Sequence, residues 1–126
     1  MSEVKTNKLS GTSTAGVILV TGEGNSTTTS LQQGLAKVWL YYASQAAVDS
    51  LNISGVTDTA AGVLDIAFAN DFGNDDWSGH HTTEFQQPTI SDQARATGTA
   101  KLVNRNSSDA LVDAGNGNAT FHGDLA

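Results

Sequence analysis

The chain has 126 residues, a formal net charge of −7 and only six Lys and Arg residues, which argues against the basic patch of a nucleic-acid-binding protein. It has no Cys, which excludes disulfides and thiolate metal sites. No apolar run approaches the ~18–20 residues that span a bilayer, and the N-terminus lacks the apolar segment of a signal peptide. Gly, Thr, Ser and Asn supply 49 of the residues. They favour turns and extended segments over helix interiors, so the composition predicts an all-β chain.

The N-terminal region is predicted to be an extended arm, because it has too few large apolar side chains to form a core of its own. Extended segments are expected at 4–9 and 16–21. Such a segment becomes ordered against a partner surface or against copies of itself. The sequence therefore predicts an attachment and oligomerisation arm over 1–35 and a β domain over 36–126. The arm residues predicted to meet other subunits are Val17, Leu19 and Leu31.

Alternation of apolar and polar residues and turn signals predict the strands of the second region. These strands are expected at 36–42, 51–56, 63–68, 81–85, 94–103 and 118–122. A turn is expected at 57–62, and the one helical turn expected lies at 31–35, with Ser30 as its N-cap. Short strands joined by Gly, Asn and Asp turns, without an amphipathic helix, predict a small antiparallel β-sandwich of the jelly-roll-like type.

The strand expected at 36–42 carries large side chains on both faces. Tyr42 points to one face with apolar neighbours, and Trp39 and Tyr41 point to the other. One face would fill the sandwich. The other would meet a neighbouring copy of the chain, because Trp and Tyr are favoured at protein interfaces.

The segment 70–81 is rich in Asn, Asp and Gly and is predicted to be a surface loop. Its candidate contact residues are Asp75, Asp76, Trp77 and His80. A solvated acidic loop is the default interpretation. A calcium site is the alternative, since calcium prefers oxygen ligands, although no Glu closes the loop as in an EF-hand.

No constellation of side chains predicts chemistry. His80 and His81 are adjacent, so in an extended segment they point to opposite faces and cannot bind one metal ion together. One of them with His122 and an Asp remains a weak zinc-like set. No Ser lies in a nucleophile elbow, and no carboxylate pair is placed across a cleft. We therefore assign no catalytic, metal or cofactor-binding residue and expect a protein without enzymatic activity.

Four segments of the chain carry a family resemblance. They are 2–16, with the sequence SEVKTNKLSGTSTAG; 27–39, TTTSLQQGLAKVW; 51–58, LNISGVTD; and 121–126, FHGDLA. Together they resemble small fibre-like virion structural proteins, of the tail-fibre, head-fibre or decoration type, from tailed and mainly marine bacteriophages. The similarity fades between 59 and 120. The segment 70–81 in particular departs from the pattern, so whatever that segment binds cannot be carried over.

The resemblance implies a structural role on the outer surface of a phage particle. It implies a homotrimeric head decoration or short fibre, made in the host cytoplasm, that is anchored to capsid or tail proteins by its arm while the β domain projects outward. The alternative is a tail-fibre component, or a small carbohydrate- or calcium-binding β module, that contacts glycans of the host surface. Neither version calls for a cofactor, nucleic acid or membrane.

Overall fold

The computed structural model describes residues 5–9, 18–21, 28–84, 86–91 and 95–126. The chain divides into two compact units, Met1–Leu35 and Ala36–Ala126. Within the described ranges, no helix is long and apolar enough to cross a membrane.

The described part of the N-terminal unit contains two paired strands and one helical turn. Strand β1 (Leu19–Thr21) pairs antiparallel with β2 (Thr28–Ser30), and α1 (Leu31–Gly34) follows directly. The Leu31 amide donates a 2.7 Å hydrogen bond to the carbonyl of Ile18. The helical turn predicted from the sequence is thus confirmed.

The second unit is built from antiparallel strands in two sheets. Its strands are β3 (Val38–Ala43), β4 (Ala46–Leu51), β5 (Ile53–Ala60), β6 (Val63–Phe68), β7 (Ser78–Thr83), β8 (Gln87–Ile90), β9 (Thr99–Arg105) and β10 (Asn116–His122). The first sheet has the order β4-β3-β10-β7 and the second β5-β6-β9-β8. The prediction of a small antiparallel β-sandwich is confirmed.

The core lies between the sheets, because buried and more exposed residues alternate along the central strands. Strand β6 buries Leu64, Ile66 and Phe68 and leaves the residues between them half-exposed. Strands β3, β9 and β10 show the same period of two. Burial of each such large side chain contributes about 1.5–3 kcal/mol, so the alternation fixes which face of each sheet turns inward.

One end of the core is an aromatic cluster. Phe121 lies 5.2 Å from Trp77 and 5.4 Å from Phe68 between ring centroids, and Phe68 lies 5.3 Å from Phe72. All three pairs are edge-to-face, the arrangement that the ring quadrupole favours. Phe72 and Trp77 come from the segment between β6 and β7, which is therefore part of the core.

A second part of the core is polar. Tyr42 Oη lies 3.0 Å from His81 Nε2, and His81 Nδ1 lies 3.2 Å from the carbonyl oxygen of Thr89. Asn104 Nδ2 donates to Tyr42 Oη over 3.4 Å. Burial raises the pKa of Tyr42, so its hydroxyl keeps the proton that it donates to His81. The contacts join the two sheets, because Tyr42 and His81 belong to the first and Asn104 and Thr89 to the second.

Candidate functional site

The outer face of the β4-β3-β10-β7 sheet is the candidate functional site. In β3 the buried residues alternate with Trp39, which is half-buried, and Tyr41, which is 37% exposed. Both rings therefore point away from the core. We call this surface the aromatic face and define it by two rows of side chains, described next.

The strand register determines the neighbours of each aromatic ring. Trp39 pairs with Leu51 of β4 and with Thr120 of β10, and Thr120 pairs in turn with His80 of β7. This is the first row of the aromatic face.

The second row is more polar. Tyr41 pairs with Asp49 of β4 and Asn118 of β10, and Asn118 pairs with Thr82 of β7. From standard strand geometry, the two rows lie about 7 Å apart along the strands and extend about 14 Å across the sheet. A register shift between Tyr41 and Tyr42 adds local twist beside the second row.

Several polar groups of the aromatic face have no partner among the residues that the structure describes. Tyr41, Asn118 and His80 make no side-chain hydrogen bond within the described part of the chain. All three are exposed. The face thus offers two aromatic rings together with a hydroxyl, an amide and an imidazole that are free to bind an external group.

The structure brings together residues that were predicted in two separate sets. Trp39 and Tyr41 were predicted in a subunit interface and His80 in a contact loop, and all three lie on the aromatic face. His80 reaches it because β7 begins at Ser78, three residues earlier than the strand expected from the sequence. Asn118 and Asp49 carried no sequence signal, because only the pairing of distant strands places them beside Tyr41.

The interface residues predicted in the arm stay predictions. Leu19 is 58% exposed on β1, and Leu31 is half-buried at the start of α1. Val17 lies outside the described residues.

The prediction that Trp77 is a surface contact is wrong. Its side chain is 1% exposed, and its indole nitrogen donates a 2.9 Å hydrogen bond to the carbonyl of Ala96. The Arg95 guanidinium lies 4.5 Å from the Trp77 ring centroid and donates to the Trp77 carbonyl over 2.9 Å. Burial of a large aromatic ring, with its N–H group hydrogen-bonded, stabilises the fold more than exposure of the ring to water would. Asp75 and Asp76 are exposed as expected.

Polar atoms of the segment before β7 are engaged in holding the backbone. The Asn52 side-chain oxygen accepts from the backbone and side-chain nitrogens of Asn70 over 2.7 and 2.8 Å. The Asp71 carbonyl accepts from the amide of Ala126 over 3.0 Å, and the Gly73 amide donates to Asp124. No group of three or more His, Asp and Glu residues suited to a metal ion occurs among the described residues.

Comparison with known proteins gives a structural likeness. No family model matches the chain, and no curated protein matches it. A solved structure does: the phiAB6 tailspike, determined in complex with three-repeated oligosaccharides of Acinetobacter baumannii surface polysaccharide. The similarity has a TM-score of 0.53 at 13% identity and covers 98% of this chain. The chain spans about 30% of the tailspike chain, and at this identity the likeness concerns the fold.

Proposed function

We propose that the protein is a non-enzymatic structural protein of a bacteriophage particle that contacts the bacterial surface. In its specific form, it is a trimeric head decoration or short fibre on the outer surface of the virion. The arm over 1–35 binds capsid or tail proteins, and the β domain projects outward. The observation that carries the proposal is the likeness of nearly the whole chain to part of a phage tailspike.

The N-terminal unit supports an anchoring role. Leu9, Leu19 and Val20 are 58%, 58% and 49% exposed. Exposed apolar side chains of this size are candidates for contact with a partner. Capsid or tail proteins and sibling subunits are the partners that this surface would bind.

The proposal is tested in the phage that encodes the chain. Mass spectrometry of purified particles is expected to find the protein at a fixed copy number that is a multiple of three. Light scattering after size exclusion is expected to give the mass of a trimer for the free protein. If the protein is absent from purified particles, the virion role is refuted. If it is present in particles but the free protein is a monomer, only the trimer is refuted.

A tail-fibre component or a carbohydrate-binding module is the second candidate, and the aromatic face is the observation that favours it. The calcium version is tested by thermal melting with millimolar calcium and with a chelator. We expect the same midpoint in both, since no group of three or more His, Asp and Glu residues suited to a metal ion occurs among the described residues. A higher midpoint with calcium would contradict this expectation.

A further inference from the structure

We infer that the aromatic face binds a chain of neutral sugars through Trp39 and Tyr41. The inference rests on the proposed function and deepens it, because it names the surface and the chemical class of the ligand. The register of β3, β4, β7 and β10 carries the inference.

The two rings supply the apolar part of the site. A pyranose ring has an apolar face of C–H groups and a rim of hydroxyls, so it needs a flat apolar surface with polar groups beside it. Trp and Tyr have this amphipathic shape. As alternate residues of one strand, Trp39 and Tyr41 are held about 7 Å apart on one face, which suits neighbouring sugars of a chain.

The neighbouring strands supply the polar part. Asn118 lies beside Tyr41 on the neighbouring strand. The side-chain oxygen and nitrogen of Asn118 and the Tyr41 hydroxyl lack protein partners in the described part of the chain. His80 lies in the row of Trp39, separated from it by Thr120. Sugar hydroxyls both donate and accept, so they can satisfy an amide, a phenol and an imidazole together.

Charge decides between neutral and acidic sugars. The two rows contain Asp49 and no Lys or Arg. Lys37, two residues before Trp39 on the same outward side, is already engaged in an interaction of its own, and the whole chain carries a net charge of −7. Recognition of carboxylate or phosphate groups depends on Arg or Lys. The aromatic face therefore suits neutral sugars better than acidic ones.

A second copy of the chain is the competing occupant. A dry subunit interface would bury the Asn118 amide and the His80 imidazole. Each group would lose its hydrogen bonds to water, which costs free energy unless the partner subunit replaces them. The apolar groups are also interrupted, because Thr120 and Asn118 separate the rings from the far strand. A hydrated saccharide fits this mixture better than a subunit core does.

The aromatic face is part of a sheet surface and not a pocket, which limits the affinity expected for a single saccharide. A ligand on a flat sheet is covered on one side only, whereas a pocket buries most of its ligand. Each site should therefore bind a short saccharide weakly, with a dissociation constant in the millimolar range. A polysaccharide with repeated units can bind many sites of one particle at once, so avidity supplies the rest.

The test uses the full chain and nuclear magnetic resonance. The probes are linear hexasaccharides of glucose, galactose, mannose and N-acetylglucosamine, with hexagalacturonate as the acidic counterpart. The chain has two Trp residues, so its indole signals report separately on Trp39 in the face and Trp77 in the core. At least one neutral probe is expected to shift the Trp39 signal saturably and to leave Trp77 unchanged.

Variants then assign the binding. Trp39→Ala and Tyr41→Ala should each weaken binding about tenfold or more, as anchors of a small interface do. Leu111→Ala is the matched control, because Leu111 is 42% exposed outside the aromatic face. An unchanged Trp77 signal in Trp39→Ala verifies that this variant is folded.

Three results would overturn the inference: no neutral probe shifts Trp39, hexagalacturonate binds more tightly than every neutral probe, or Trp39→Ala lowers the molar mass of the assembly. The last would identify the face as a subunit interface. Because incorporation into particles is measured independently, failure of sugar binding with normal incorporation refutes this inference and leaves the virion role intact.

Discussion

At the scale of single residues, the donor and the acceptor of each buried hydrogen bond between Tyr42, His81, Asn104 and Thr89 can be assigned. A carbonyl oxygen cannot donate, so His81 Nδ1 carries the proton that bonds Thr89. His81 Nε2 is then the acceptor, and the Tyr42 hydroxyl donates to it while accepting from Asn104. This pattern requires a neutral imidazole. Protonation of Nε2 would make it a donor, so the Tyr42 hydroxyl would have to accept from it and would lose the bond that it donates.

His81 should make the stability sensitive to acid. Burial lowers the pKa of His81 below its ordinary value of 6.5, although the hydrogen bond to Thr89 opposes the shift. The unfolded chain therefore takes up protons more readily as the pH falls through 6.5, so the contribution to stability is complete above that pH and is lost below it. We expect the melting midpoint to fall between about pH 7.5 and 5.5, measured by circular dichroism.

Variants separate this effect from general acid denaturation. His81→Gln should be less stable at neutral pH but should lose less stability on acidification than the natural chain. His122→Gln, altered on the outer side of the same sheet, is the control and should keep the natural pH dependence. An equal loss in the natural chain and in His81→Gln would show that His81 is not the responsible group.

The absence of a side chain at Gly117 makes room for the Tyr42 ring. A Cβ atom at Gly117 would overlap the hydroxyl end of that ring, whereas a Cβ at Gly115 would meet no atom within 4 Å. Gly117→Ala should therefore lower the free energy of unfolding by about 1–3 kcal/mol, a usual cost of overpacking. Gly115→Ala is the matched control and should change it little. Urea unfolding measures both, and equal effects would contradict the packing argument.

At the scale of elements, the turn between β3 and β4 carries backbone strain. Ser44 and Gln45 have φ values of 48° and 63°, as a two-residue turn of type I′ requires, and this turn type prefers Asn and Gly. The Gln45 side-chain oxygen is also buried without a hydrogen bond to any described residue. Gln45→Gly should relieve both costs and stabilise the protein by up to about 1 kcal/mol, or several degrees in the melting midpoint.

Gln45→Ala is the informative comparison for this turn. It removes the buried oxygen but keeps a Cβ atom at positive φ, so it should gain less than Gln45→Gly. Differential scanning calorimetry measures both variants. A Gln45→Ala protein that melts above Gln45→Gly would show that the backbone strain is unimportant.

The same turn explains why part of the fold was predictable and part was not. Strand 63–68 was predicted with its observed bounds because alternation reports burial on one face. Strand β4 was not predicted, since most of its residues are exposed and its turn lacks Gly, Asn or Pro. Residues 57–60 were expected in a turn from their polar and small side chains, but they continue β5 because they pair with β6, and only Ala61 and Gly62 form the turn.

The candidate site was predicted in part, for a related reason. The period of two placed Trp39 and Tyr41 on the face opposite Tyr42. Which polar groups join them depends on β10 and β7, which are distant in sequence, so local patterns carry no information about it. Trp77 was misjudged because its polar neighbours along the chain concealed partners from other strands.

At the scale of the whole molecule, the core and the proposed anchor belong to different units. Every residue of the buried core cluster lies within Ala36–Ala126. The N-terminal unit contributes exposed apolar side chains, including Leu9 and Leu19. The described core of the β domain and the surface proposed to attach it therefore come from separate parts of the sequence.

Removal of residues 1–35 tests this separation. The shortened chain should unfold cooperatively, with a midpoint close to that of the full chain, because no member of the core cluster is lost. It should also lose attachment to particles and the trimeric mass, if those depend on the arm as proposed. Calorimetry, light scattering and sedimentation with purified particles measure the three properties. Non-cooperative unfolding would show that the arm stabilises the β domain, whereas full attachment by the shortened chain would place the anchor within residues 36–126.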